Sequence, residues 1–176
     1  MRFSHVYGVQ RTDEDDWFDP ILSADTQLFV DPFLIYLDRA EHWAGAHDEL
    51  VHFFDVVLTL LAKAGSNKNS AHRGAAQRLL LFPEPAEFCL GWGVTSLGRG
   101  SGEGLQEGML EGAEETIRLG IHSVSHFEEM TLFQEGIGVD LISDIACNVL
   151  KDRFISYTQS IVERHDIGVD PVGVDG

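Results

Sequence analysis

Apolar positions are densest between Glu49 and Lys63, where LVHFFDVVLTLLAK is hydrophobic around most of a helical circumference. A helix with so narrow a polar face buries more than one side. The polar run GSNKN, 65–69, ends it, and Ser70 stands where it can cap a second helix over Ala71–Leu81. Farther on, Ile142, Ile145, Val149, Ile155 and Ile161 follow helical spacing and predict a long helix from Val139 to Arg164 with a bend in it. Two more helices are expected, one from Leu105 to Leu119 and one from His122 to Gln134. Strand-like patterns are short: Phe3–Val9, and Gln27–Val30 ending in Asp31, with Pro32 opening a short helix. The expected fold class is mainly α (α+β), a helical domain with a small sheet of two to four short strands.

Composition adds a boundary. The chain of 176 residues is long enough for one domain, placed over residues 1–165, with 166–176 as a Gly- and Asp-rich tail leading towards a downstream domain. Its net charge of −17 repels a phosphate backbone, so long nucleic acids are disfavoured as partners. A local cleft that holds a metal ion reverses that sign. Cys89 and Cys147 are too few for a disulfide framework and read as buried free thiols. The N-terminus turns acidic at TDEDDWFD, with no apolar leader core, and no apolar run is long enough to span a bilayer. A cytoplasmic protein without a membrane segment is expected.

The polar residues of GIGVDLISDIACNVLKDRF carry the main chemical candidate. Asp140, Asp144 and Asn148 are spaced i, i+4, i+8, which stacks them on one helical face. Carboxylates so close repel one another unless a proton or cation lies between them. Oxygen ligands of this kind suit Mg²⁺ or Mn²⁺. Asp31 is the third expected ligand, Asn148 would orient a ligand or water, and Lys151 would neutralise a phosphoryl charge. The plain alternatives are specific as well. Asp140 and Asp31 are both placed to cap helices, and Asp144 and Lys151 can be an ordinary surface pair.

Three weaker patterns accompany it. The glycine-rich stretch SLGRGSGEG offers backbone N–H groups to an anion, with Arg99, Gly100 and Gly102 as its contacts, although it lacks the Lys of a P-loop and Glu103 breaks the dinucleotide pattern. A flexible surface loop is the favoured reading of it. His122 and His126 have the four-residue step of a two-His metal site, without the Glu of a zinc-protease helix. Glu41, His42 and His47 read as an exposed polar loop.

The segments LFVDPFLI, GRGSGEG and GVDLISDIACNVLKDRFISYTQ together resemble an uncharacterised bacterial family. Its best motif here is the I-S-D-x-x-x-N-x-L-K run, Ile142 to Lys151, and the likeness extends from Trp17 to Gln159. The resemblance implies a bacterial cytoplasmic protein, the N-terminal part of something longer and encoded near phage-defence genes. It implies no catalytic residues.

Two functions follow as expectations. One is a divalent-metal-dependent phosphodiesterase or nuclease using Asp31, Asp140 and Asp144. The other is a non-catalytic module that recognises a protein partner, its acidic surface facing a basic one. The first requires those carboxylates to converge in a pocket. The second expects them to scatter, with an exposed apolar patch elsewhere.

Overall fold

A computed structural model describes residues 1–83, 87–91, 103–127, 129 and 138–173. Among them are seven α-helices: α1 (Phe3–Tyr7), α2 (Pro32–Leu37), α3 (Ala46–Ala64), α4 (Ala71–Leu79), α5 (Glu103–Arg118), α6 (Val139–Val149) and α7 (Lys151–Arg164). A 3-10 turn, Glu41–Trp43, leads into α3.

The hydrophobic helix α3 is the hub of the fold and contacts α2, α4, α5 and α6. Leu50, Phe54, Val57, Leu58 and Leu61 are buried along it, while Asp48, His52, Val56, Thr59 and Lys63 form the exposed stripe. Against that buried face lie Ala76 and Leu80, then Met109, Leu110 and Ala113 of α5, and Ile145, Ala146 and Leu150 from the α6–α7 region. Each large apolar side chain so enclosed contributes about 1.5–3 kcal/mol relative to an exposed one. The α4–α5 pair is also clamped by Arg73, whose Nε donates to Glu114 (2.6 Å) and Nη2 to Glu107 (3.0 Å).

Ser70 caps α4 as expected, its hydroxyl accepting the His72 N–H at 3.2 Å. The long C-terminal helix does bend: α6 ends at the buried Leu150, and α7 starts at Lys151.

The small sheet is not found. Among the described residues extended pairing is limited to two isolated bridges, Arg2 with Ile21 and Thr26 with Leu90. Phe3–Tyr7 is helical, closed by Gly8 in the left-handed conformation. In the 27–30 segment the Val30 N–H finds no strand carbonyl and donates instead to the Ser143 hydroxyl of α6, at 2.9 Å. A strand needs a neighbour, and here a helix takes that place. The helix expected over His122–Gln134 is also absent at its start, since residues 121–124 are irregular; 128 and 130–134 lie outside the described residues.

The acidic N-terminal turn packs on α7. Trp17 is buried edge-on to the His165 ring, Arg164 pairs with Asp16 at 2.8 Å, and the Tyr157 hydroxyl donates to the Asp16 carbonyl. No helix among the described residues is long and apolar enough to cross a membrane.

Candidate functional site

The polar stripe of α6 faces the segment that returns past it, residues 83 and 87–91. This segment forms no helix, so its backbone groups need partners from elsewhere. Asn148 supplies one. Its Nδ2 donates to the Pro83 carbonyl and to the Asp144 carbonyl, each at 2.8 Å. Lys151 continues the seam, its Nζ lying 3.4 Å from Glu87 Oε1 with both side chains mostly covered. At the other end, Asp140 Oδ1 lies against Gly91. Asn148 and Lys151, expected to orient water and to hold a phosphoryl charge, are thus placed as fasteners of this segment.

Asp144 is half-buried beside Cys147. Burial, and secondly the Asp144 charge, push the Cys147 thiol up to about 12, against the opposing hydrogen bond of Ser143. The thiol is therefore protonated at neutral pH and inert as a nucleophile. Cys89 is half-buried and free, and its thiol is also raised, by burial first and then by the charge of Asp25.

Asp31 caps α2, with Oδ1 accepting the Phe33 N–H at 2.9 Å. The Val30–Ser143 bond draws this segment to α6, but the Asp31 carboxylate serves the helix terminus. Among the described residues no group of three or more His, Cys, Asp or Glu side chains has the arrangement of a metal site. Asp31, Asp140 and Asp144 therefore do not form a three-carboxylate centre. His126 packs its exposed ring on His47 and Tyr36, while His122 lies in the irregular stretch, so the helical two-His step is not formed. Arg99, Gly100 and Gly102 lie outside the described residues.

The structure adds two features that the residue pattern did not single out. The first is Asp25, a buried carboxylate whose Oδ2 is closed to solvent and has no hydrogen-bond partner among the described residues. It is delivered by the Thr26–Leu90 bridge, in which Thr26 N–H donates to the Cys89 carbonyl (2.8 Å) and Gly91 N–H to the Thr26 carbonyl (3.0 Å). Its only sequence signal is an ionisable residue set among small and apolar ones in ILSADT.

The second is α2 itself. Phe33, Leu34, Tyr36 and Leu37 are 50, 62, 42 and 46% exposed, a dense apolar display for so short a helix. Asp31 and Asp38 bracket it, and a cleft of about 340 Å³ opens beside it between Ile35, Trp43 and His47.

With this geometry in place, comparison with protein-family models matches residues 8–176 to a domain of unknown function, DUF8370. The chain belongs to the DUF8370 family. No curated protein and no solved structure matches it. The family's description carries no activity, so what this DUF8370 domain does has to be argued from its own surface and side chains.

Proposed function

We propose that this DUF8370 domain is a partner-binding module that receives a basic, apolar-faced protein segment on α2. The observation that carries this reading is the exposure of four large apolar side chains on a helix bracketed by Asp31 and Asp38. Contiguous exposed apolar surface rimmed by charge is the usual mark of a recognition site. A second copy of the same chain is a poor occupant, because two surfaces of net charge −17 repel. A Lys- or Arg-rich amphipathic partner satisfies both the apolar face and the carboxylate rim. The scatter of Asp31, Asn148 and Lys151 into capping and fastening roles favours this reading over catalysis by that set. The resemblance of the Ile142–Lys151 motif would set such a module within a larger bacterial phage-defence protein.

The test is fluorescence anisotropy with a labelled amphipathic peptide built from Leu and Lys, and with its Leu and Glu counterpart. The basic peptide is expected to bind, to weaken as salt is raised, and to lose at least about tenfold in affinity to Leu34→Glu, roughly 1.4 kcal/mol. Equal binding to the parent and to Leu34→Glu, or no binding at all, overturns the assignment. Sedimentation that reveals a dimer dissolved by Leu34→Glu would give the face to a second copy instead.

A second reading, a Mg²⁺- or Mn²⁺-dependent phosphodiesterase, keeps one observation in its favour: an Asp140 oxygen and an Asp25 oxygen both border the open space over Gly91, whereas Asp31 does not. It predicts Mn²⁺-dependent cleavage of bis(p-nitrophenyl) phosphate that disappears in Asp140→Asn. Cleavage that persists in that variant removes it.

A further inference from the structure

Two carboxylates from distant parts of the chain face one point. A methyl group placed on Gly91 would sit 3.6 Å from Asp140 Oδ1 and 3.8 Å from Asp25 Oδ2. Gly91 has φ of 129°, a conformation rarely adopted by residues with a side chain, and lies buried, so the space between the two carboxylates is kept clear. Asp25 is only 9% exposed, and its inward oxygen has no donor among the described residues. Among those residues neither carboxylate is paired with a Lys, Arg or His.

An ionised carboxylate held away from water without a partner is costly, and a second negative charge beside it increases the cost. The fold nevertheless leaves the buried oxygen without a donor among the described residues, beside an open space that a second carboxylate oxygen also borders. A divalent cation resolves both problems at once. Asp140 is exposed in the first turn of α6, so the outer side of the point is open to water. Mg²⁺ and Mn²⁺ suit such a half-open site, since they take one or two carboxylates and retain several waters, whereas Ca²⁺ asks for six to eight oxygen ligands.

We propose that Asp25 and Asp140 bind one Mg²⁺ or Mn²⁺ ion over Gly91, Asp25 from the buried side and Asp140 from the solvent side, with water completing the shell. The ion would tie the 25–26 and 89–91 segments to the start of α6. Cation binding at this point holds or fails separately from peptide recognition at α2.

Mn²⁺ titration of the full chain by calorimetry, with thermal unfolding followed in parallel, is the test. The parent is expected to bind one Mn²⁺ and to unfold at a higher temperature when loaded. Asp25→Asn and Asp140→Asn should each lower affinity at least tenfold and lose that shift. Asp31→Asn, which alters only the α2 cap, should bind as the parent does. Should Asp25→Asn fail to fold, the exposed Asp140→Asn carries the comparison. The site is overturned by a parent that shows no saturable Mn²⁺ binding, or by an Asp140→Asn variant that retains it.

Discussion

Asn148 illustrates how one side chain changes meaning with its surroundings. An Asn within a helix has no propensity reason to be there, which marks the position. Its amide gives the Pro83 carbonyl a donor that no regular element supplies. Asn148→Ala is therefore expected to destabilise the chain by about 0.5–1.5 kcal/mol, measured by urea denaturation, because the bond that fastens this segment to α6 is lost. Lys151→Ala should cost less, since its pair with Glu87 is long, at 3.4 Å. If instead Asn148→Ala is as stable as the parent and Lys151→Ala is not, the ion pair and not the amide holds the segment.

Among the elements, α3 bears the greatest share of the core, and Phe54 sits at its middle against the rings of Phe53 and Phe127. Truncation to Ala removes a fully buried ring from among α3's neighbours. Phe54→Ala should cost about 3–5 kcal/mol, enough to threaten folding at physiological temperature. A thermal scan that showed the variant within a degree or two of the parent would contradict the hub role of α3. By contrast, α2 is held by buried Pro32 and half-buried Ile35, so polar substitutions at its exposed Phe33, Leu34 and Leu37 should leave stability nearly unchanged.

Across the whole molecule, charge has the widest reach. A net charge of −17 spreads repulsion over the surface, and raising salt to 1 M shortens the screening length to about 3 Å. NaCl should accordingly raise the unfolding temperature by a few degrees, an effect that Na₂SO₄ would blur with its general exclusion from surfaces. A fall in unfolding temperature with NaCl would mean that attractive ion pairs such as Arg73 with Glu114 outweigh the repulsion.

Acid works against this in a definite window. The Asp15 carboxyl is held below its ordinary range chiefly by the Thr12 N–H, and that of Asp16 chiefly by Arg164. Asp19 is lowered too: burial opposes this, and the bonds from Ser4 N–H (2.8 Å) and hydroxyl (2.7 Å) outweigh it. A carboxyl lowered on folding stabilises the folded state at pH above its unfolded value, near 3.8, and that contribution is lost as pH falls through the folded one. Asp19→Ala should thus lose about 1–3 kcal/mol at neutral pH, from two stranded donors. The gap to the parent should narrow as the pH falls below about 3.8, read from urea curves across a pH series. A gap independent of pH would mean that charge plays no part at Asp19.

The local interactions of this chain were legible in the order of its residues. The course of α3, the Ser70 cap and the Asp31 cap all follow from hydrogen bonds and periodicities that span a few residues, so the amino-acid sequence by itself determines them. Strand pairing depends on a distant neighbour. The apolar pattern at Gln27–Val30 was real, yet tertiary packing gave Val30 a helix hydroxyl and left no sheet among the described residues. The stripe of α6 was equally visible, but what it does was decided by the segment laid beside it, which engages Asn148 and Lys151 and sets Gly91 against Asp140. Burial is a property of the assembled fold, and the Thr26–Leu90 bridge helps turn Asp25 from one acidic residue among 29 into a covered carboxylate beside Gly91.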